Sequence, residues 1–227
     1  MSKKIVVAID GPAGSGKSTI ARRLAARLGC IYIDTGAMYR AVGLMALRSG
    51  VALSDESKLE SLARSADIEF LDNGTRLKLN GEEVTAAIRT PEVSEAASKV
   101  SAVPAVRRVL VEKQREMGAR SSVVMEGRDI GTVVFPNADV KVFLDAKPEV
   151  RTTRRLKEWA EKGQAAEPQQ VASEMDERDR RDRTRADSPL LQAPDAVYLD
   201  TSDMTLDEVE AWILKLIRDR TSNGKEA

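Results

Sequence analysis

The run with the clearest chemistry lies near the N-terminus, where residues 11 to 18 read GPAGSGKS. It matches G-x-x-x-x-G-K-[ST], a pattern whose glycines let successive backbone amides face phosphate oxygens while the next helix adds its positive N-terminal end. Lys17 is expected to reach the β- and γ-phosphates, and the Ser18 hydroxyl is expected to bind Mg²⁺. The run therefore predicts a nucleoside triphosphate site. Its members are Gly11, Pro12, Ala13, Gly14, Ser15, Gly16, Lys17, Ser18 and Thr19.

The nucleotide is expected to be ATP, since no segment carries the N-K-x-D signature with which GTPases recognise guanine. Transfer of its γ-phosphoryl group requires positive charge around the migrating group and a cover that excludes water. Arg40, in the run DTGAMYR, and Arg128, in the run EGRDIGTVVFP, are candidates for this charge. Each of these arginines taken alone is also compatible with an ordinary surface position.

The run ERDRRDRTR at 177–185 is a further source of positive charge. If it is helical, Arg178, Asp182 and Arg185 share one face, because they are spaced i, i+4 and i+7. Arginine on that face is suited to phosphate, since its planar fork binds oxygens in pairs and keeps its charge. The alternative is a helix that is merely solvated by internal ion pairs. That alternative is the default interpretation for Arg180, Arg181 and Arg183.

Composition limits the other chemistry that is possible. The chain has no histidine, and Cys30 is its only cysteine, which excludes disulfide frameworks, Cys/His zinc sites and histidine-based triads. Lys plus Arg and Asp plus Glu are both 36, so no overall positive charge favours a nucleic-acid partner. No apolar run is long enough to cross a bilayer. We expect a monomeric, cytoplasmic protein that acts on small molecules.

The elements that position these residues can be predicted from hydrophobic periodicity. Short apolar runs rich in β-branched residues predict strands separated by helical patterns. The strands are expected at 5–9, 31–34, 122–126, 140–145 and 196–200. This alternation indicates an α/β fold around a five-stranded parallel sheet with flanking helices. Ligand groups collect at the carboxyl ends of parallel strands, where Arg40 and Arg128 would join the phosphate loop.

Two stretches interrupt the alternation. Residues 67–85 alternate polar with apolar side chains and contain Asn73-Gly74 and Asn80-Gly81, which are signals for hairpin turns. They predict a small antiparallel β insert. Residues 163–189 are polar and nearly free of large apolar side chains, so they predict an exposed arm or lid that supplies no core.

The motifs GPAGSGKS, DTGAMYR, IRTPEVSEAASKVS, EGRDIGTVVFP and ERDRRDRTR occur in an order and spacing that resembles the bacterial cytidylate kinases over nearly the whole chain. The resemblance implies ATP-dependent phosphorylation of CMP and dCMP by direct in-line transfer, with Mg²⁺ accompanying ATP. It implies a P-loop nucleoside monophosphate (NMP) kinase core, with residues 1–227 as one kinase domain. Residues 36–108 would be its NMP-binding region, including the insert at 67–85, and residues 151–190 would be its arginine-rich helical lid.

The resemblance also implies a pocket for the base of the acceptor, lined by Ser98, Arg107 and Asp129. Cytosine presents an amino donor beside ring N3 and a carbonyl acceptor. An acceptor such as Asp129 and donors such as Arg107 and Ser98 suit this pattern, and uracil reverses part of it. Poor use of UMP relative to CMP is therefore expected.

The remaining implied roles concern phosphate and sugar. Arg40 and Arg128 would grip the acceptor phosphate, with Thr35 and Tyr39 nearby. Two lid arginines would swing over the phosphates, and Asp182 would contact the sugar or orient an arginine. The residues implied to act in catalysis are Lys17, Arg128, Arg178 and Arg185.

One position departs from the family pattern, and two other functions stay open at this point. Glu126 stands where the family commonly has Asp near Mg²⁺, and a longer carboxylate could still hold a metal-bound water. A kinase for another small acceptor, such as UMP, AMP or shikimate, would share the phosphate loop. An ATP-dependent switch would hydrolyse ATP slowly and be indifferent to CMP. The acceptor arginines and the arginine-rich lid favour a kinase over the switch.

Overall fold

The computed structural model describes residues 4–161, 163 and 166–222 of the chain. Helices and strands alternate along most of this part. Their order is β1 (Val6–Asp10), α1 (Lys17–Leu28), β2 (Ile31–Asp34), α2 (Thr35–Arg48), α3 (Glu56–Ser65), β3 (Ile68–Leu71), β4 (Arg76–Leu79), β5 (Glu82–Glu83), α4 (Pro91–Val100), α5 (Pro104–Arg120), β6 (Val123–Gly127), β7 (Val140–Asp145), α6 (Pro148–Glu161), α7 (Pro168–Thr184), β8 (Val197–Asp200) and α8 (Leu206–Ser222). Within the described residues, no helix combines the length and apolar character needed to cross a membrane.

The central sheet has five parallel strands in the order β2-β6-β1-β7-β8, which confirms the predicted α/β fold. Its two faces pack against different helices, as the alternation of side chains along a strand requires. Val7 and Ile9 of β1 share a core with Ile213 of α8. Ala8, between them, faces the other way and shares a core with Val111 of α5. Both faces are therefore covered, which explains the continuous apolar runs of the strands.

Three strand ends meet at one edge of this sheet. Asp10 of β1 lies in register with Gly127 of β6, and Asp34 of β2 lies in register with Glu126. The phosphate loop, helix α2 and the segment that begins at Arg128 therefore leave the sheet side by side. This edge is where a parallel sheet of this kind places its ligands.

The predicted antiparallel insert is present, as the three-stranded sheet β3-β4-β5. Its predicted turn residues Asn73, Gly74, Asn80 and Gly81 all have positive φ. At Gly74 the turn also touches the main sheet, because an added Cβ would lie 1.8 Å from the carbonyl oxygen of Tyr32 in β2. Glycine at this position thus lets the insert dock directly on the strand that leads to the site.

The arginine-rich segment forms helix α7, and one part of its prediction is wrong. Val171 and Met175 are buried, at 1% and 8% exposure, so one face of the segment does supply core. The two residues are four apart and share a face of the helix with Asp179 and Asp182, which are also buried. The outer face is solvated as expected. Of the predicted lid, residues 162, 164 and 165 lie outside the described part.

Candidate active site

The phosphate loop joins β1 to α1 through three glycines with positive φ, Gly11, Gly14 and Gly16. Gly16 is the residue before the first turn of α1, so the amides that open the helix face the loop. Gly11 lies against β7, where an added Cβ would be 2.0 Å from the carbonyl oxygen of Leu144. The loop is thereby held close to the carboxyl ends of the strands.

Lys17 lies inside this loop and is buried. Its Nζ donates to the carbonyl oxygen of Pro12 at 2.5 Å and to Oγ of Ser15 at 3.2 Å. Burial, and then the positive charge of Arg128, lowers the pKa of Lys17 to about 7. A cation held under this penalty favours an anionic ligand, because the ligand's charge would offset both the burial and the repulsion.

A second group of contacts surrounds Glu126 at the end of β6. Its carboxylate accepts from the Tyr32 hydroxyl at 2.6 Å and from the hydroxyl of Ser18, and its backbone oxygen accepts from Thr35 Oγ1 at 2.7 Å. Burial, and then the charge of Asp34, raises the pKa of Glu126. In the described part of the chain, no group of three or more Asp, Glu, His or Cys side chains is arranged to hold a metal. A hard cation here would therefore rely on the Ser18 and Glu126 oxygens together with its nucleotide.

Asp34 connects β2 to α2 and holds the predicted phosphate ligand Arg40. Its Oδ1 accepts from the amide of Ala37, which caps the helix, and its Oδ2 accepts from Arg40 Nη2 at 2.7 Å. Nε of Arg40 is buried without a hydrogen-bond partner. Burial opposes ionisation of Asp34, but Arg40 and the Ala37 amide hold its pKa below the usual range.

Helix α7 brings the predicted lid residues over the end of β6. Arg128 Nε donates to Asp182 Oδ2 at 2.8 Å, and Arg185 Nη1 is 3.5 Å from Asp182 Oδ1. Burial, and then the charge of Arg128, lowers the pKa of Arg178 to about 10. Arg178, Arg128 and Arg185 are thus collected around one carboxylate, which leaves an excess of positive charge beside the phosphate loop.

The predicted base pocket contains a second buried ion pair. Arg107 Nη2 donates to Asp129 Oδ2, and Arg185 Nη2 is 3.8 Å from Asp129 Oδ1. The Arg107 guanidinium lies over the ring of Tyr39, 5.4 Å from its centroid. Burial raises the pKa of Tyr39 to about 12, so it stays neutral near pH 7. These four residues form one cluster between α2, α5 and the lid.

Other predicted residues are placed less directly. Ser98 is half-buried on α4, where its carbonyl oxygen accepts from the Ser101 hydroxyl, and Arg107 Nη1 donates to the carbonyl oxygen of Ser101 at 3.1 Å. Ser98 is therefore near the cluster through Ser101. Thr19 is exposed on α1.

The lid arginines that were expected to face solvent do so in part. Arg180 is exposed and paired with Glu177. Arg183 is exposed, and Arg181 is partly covered.

Besides Asp34, three charged residues of the site have no role predicted from the sequence. Asp179 of α7 and Arg151 of α6 form a buried ion pair that also bonds Ala13 in the phosphate loop. Asp10, at the end of β1, accepts the amides of Ile130 and Gly131, at 2.8 Å and 2.7 Å. Val171, Met175 and Asp179 are spaced four apart on α7, so the two apolar residues are a signal that could have identified Asp179 as buried. No local pattern marks Arg151.

Comparisons with known proteins agree with this geometry. A family model described as cytidylate kinase matches residues 7–219. A cytidylate kinase of Solibacter usitatus is 62% identical over 226 residues, covering 99% of this chain and 97% of that protein. One of Pelotomaculum thermopropionicum is 50% identical over 222 residues, covering 96% of each. An uncharacterized protein from Eubacterium ventriosum has a similar fold, with a TM-score of 0.54 at 12% identity, covering 94% of this chain and 98% of that one.

Proposed function

Because this chain belongs to the cytidylate kinase family, we propose that it phosphorylates CMP and dCMP to CDP and dCDP with ATP as the donor. The observation that carries the choice of acceptor is the buried pair Arg107 and Asp129 at the strand edge that also holds the phosphate loop. A donor and an acceptor fixed side by side match the edge of cytosine, and the adjacent arginines match its phosphate. The γ-phosphoryl group passes directly between the two nucleotides.

The donor end of the site is the phosphate loop, residues 11–19. Its amides and Lys17 bind the β- and γ-phosphates of ATP, and the end of α1 adds positive potential. Lys17 is already oriented into the loop by Pro12 and Ser15. Its lowered pKa supports this role, since phosphate would restore its charge.

The base of the acceptor lies against Ser98, Arg107 and Asp129. Asp129 accepts the cytosine amino group, and the two donors face ring N3 and the carbonyl oxygen. Uracil would offer an N–H and a carbonyl where cytosine offers N3 and an amino group. A site of buried hydrogen bonds can reject such a mismatch by as much as about 10⁴- to 10⁵-fold. CMP is therefore strongly favoured over UMP.

The acceptor phosphate and ribose lie between the strand ends and the lid. Arg40 and Arg128 hold the phosphate, with Thr35 and Tyr39 beside them. The unpartnered Nε of Arg40 supports this assignment, because a buried donor without a partner is costly until a ligand accepts from it. Asp182 orients Arg128 through a hydrogen bond, and we assign the sugar contact to the same carboxylate.

Transfer itself needs charge and alignment more than proton removal. The acceptor phosphate already carries an ionised oxygen, so attack on the γ-phosphorus requires no general base, in agreement with a chain that has no histidine. Lys17, Arg128, Arg178 and Arg185 surround the migrating group and stabilise its spreading negative charge. The lid that carries Arg178 and Arg185 also excludes water, which suppresses hydrolysis.

The site also fits the Mg²⁺ that accompanies ATP in this kind of reaction. Ser18 and Glu126 share a hydrogen bond beside the phosphate loop, and both present the oxygen atoms that Mg²⁺ prefers. Mg²⁺ commonly keeps several waters and uses one or two protein ligands plus phosphate oxygens, so a larger acidic cluster is not required. When bound, the ion would offset charge on the phosphates. Ser18 would bind it directly, and Glu126 would hold one of its waters.

The larger organisation follows from the same proposal. Residues 1–227 act as a single kinase domain, in which residues 36–108 bind the acceptor and residues 151–190 close as a lid. We also assign the protein to the cytoplasm as a monomer. Sedimentation at micromolar concentration checks the last point, and a dimer would contradict it.

The direct test is to follow the γ-phosphoryl group. The protein is incubated with Mg²⁺, CMP and ATP labelled at the γ-phosphate, and the nucleotides are separated. We expect the label in CDP. Label released only as inorganic phosphate, at a slow rate that CMP does not change, would contradict the proposal and favour an ATP-dependent switch.

A further inference from the structure

A buried ion pair whose two residues have no role in the proposed reaction joins the lid to the phosphate loop. Arg151 of α6 and Asp179 of α7 pair through Nη1 and Oδ2. The same Arg151 nitrogen donates to the carbonyl oxygen of Ala13 at 2.9 Å. The other oxygen of Asp179 accepts from the amide of Ala13 at 3.0 Å. Both backbone polar groups of one loop residue are therefore bound by this pair.

The pair is built into the protein rather than placed on its surface. Asp179 and Arg151 are 3% and 8% exposed, whereas Asp176, three residues before Asp179 on the same helix, is exposed. Arg151 Nε also donates to the carbonyl oxygen of Ala146 at 3.1 Å, which fixes the guanidinium. Removing either charge would leave the other buried and unpaired, which proteins tolerate poorly.

Packing around the pair also joins helix α7 to the phosphate loop. Met175, one turn before Asp179, lies over the loop, and an added Cβ at Gly14 would be 2.7 Å from its Cε atom. The next residue after Arg178 is Asp179, so seating Asp179 on the loop brings Arg178 to it as well. The charges of Asp179 and Arg178 both act on Lys17 in the loop.

We propose that Asp179 and Arg151 act as a clasp that seats the lid on the phosphate loop, with Asp179 as a positioning residue for the ATP site. The inference rests on the proposed function, because it assigns the clasp to the donor side of that reaction. The acceptor side of the lid is held separately, by Asp182 on Arg128 and by Arg185 near Asp129. Loss of the clasp therefore weakens ATP binding selectively.

The experiment compares Asp179→Ala with Asp176→Ala in the full chain. The dissociation constant for ATP is measured by calorimetry, and the KM values for ATP and CMP are measured by ADP release. We expect Asp179→Ala to raise the ATP constants about tenfold, the effect of losing one charge-assisted hydrogen bond, while the KM for CMP changes less than about threefold. Asp176→Ala should match the unmodified protein in all three quantities.

A second variant covers the case in which Asp179→Ala does not fold. Asp179→Asn keeps the size and an acceptor for the Ala13 amide but loses the charge opposite Arg151, so a smaller rise in the ATP constants is expected. Unchanged ATP constants in both variants would overturn the inference. An equal rise in the constants for ATP and CMP would also overturn it, since that pattern indicates general loosening. Calorimetry with ATP alone keeps the result independent of whether CMP is the acceptor.

Discussion

Arg107 and Asp129 form an ion pair whose side chains are only 2% and 7% exposed, at the point where β6 ends and α5 passes over the sheet. Asp129 also lies 3.8 Å from Arg185 of the lid segment, and Arg107 lies over Tyr39 of α2. The pair therefore connects the proposed base pocket to the lid segment and to Tyr39 in the proposed acceptor site. Substitutions here should change the choice of acceptor, not only the rate.

Asp129→Asn tests that expectation. The amide keeps the shape of the side chain but has one acceptor oxygen, so Arg107 and the cytosine amino group can no longer both be satisfied. We expect kcat/KM for CMP to fall on the order of 10²-fold, equivalent to about 2–3 kcal/mol, and the preference for CMP over UMP to shrink. Steady-state kinetics with both nucleotides measure the ratio. Asp203→Asn, on a side chain that is 89% exposed, serves as the control. Equal losses for CMP and UMP would argue against a base-recognition role.

Arg178 and Arg180 form a matched pair on helix α7. Arg178 is half-buried beside Arg128, whereas the Arg180 side chain is 62% exposed and paired with Glu177. We expect Arg178→Ala to lower kcat by at least roughly 10²-fold, because a preorganised positive group next to the migrating phosphoryl is lost. Arg180→Ala should change kcat less than about twofold, since exposed ion pairs contribute little. Similar kcat values for the two variants would show that the buried face is structural only.

Asp10 makes the stability of the fold depend on pH. Burial raises its pKa from the ordinary 3.8 to about 7, against the Gly131 and Ile130 amides and Lys17, which lower it. The folded protein then holds a proton that the unfolded chain has lost. The free energy of unfolding should fall as pH rises between these two values, by up to about 1.4 kcal/mol per pH unit.

Urea denaturation of the unmodified protein and of Asp10→Asn at pH 5, 6 and 7 isolates this contribution. Asparagine does not titrate, so the stability of the unmodified protein relative to the variant should decline by on the order of 2 kcal/mol across the series. A constant difference between the two would mean that Asp10 is ionised throughout and is stabilised by its two amide donors.

Gly74 and Gly81 separate the cost of a backbone conformation from the cost of a clash. Both have positive φ, of 91° and 83°, but only at Gly74 would a Cβ meet another element, the carbonyl oxygen of Tyr32. We expect Gly81→Ala to lower the free energy of unfolding by about 1–2 kcal/mol, the cost of left-handed backbone alone. Gly74→Ala should cost more than about 3 kcal/mol in urea denaturation, because the insert must leave β2. Equal values would show that the docking of the turn can relax freely.

Local patterns were sufficient for the scaffold of this protein. The run predicted at 140–145 is the strand Val140–Asp145, and the predicted turns at Asn73-Gly74 and Asn80-Gly81 have the required positive φ. Such features depend on the residues within one element, where side-chain alternation and backbone conformation act directly. The rules for connecting parallel strands then leave few possible strand orders, and they fix the sheet edge that carries the ligands.

Pairings between distant elements were not accessible in the same way. Asp179 meets Ala13 across 166 positions, and Tyr32 meets Glu126 across 94. Nothing in the sequence near either residue specifies its partner, because the contact depends on how helices and strands stack. The prediction that residues 163–189 supply no core was wrong for a related reason, although the outer face of α7 is exposed as expected. Two apolar residues four apart were too few to count as core, yet they suffice to seat one face of a helix.

We propose that the buried Arg107 and Asp129 select a cytidine monophosphate as the phosphoryl acceptor. It is tested most directly by ADP release from the purified protein with Mg²⁺ and ATP, offered CMP, dCMP, UMP, AMP and GMP separately at equal concentration. We expect rapid turnover with CMP and dCMP and little with the other three. Turnover with UMP or AMP that equals or exceeds that with CMP would contradict it.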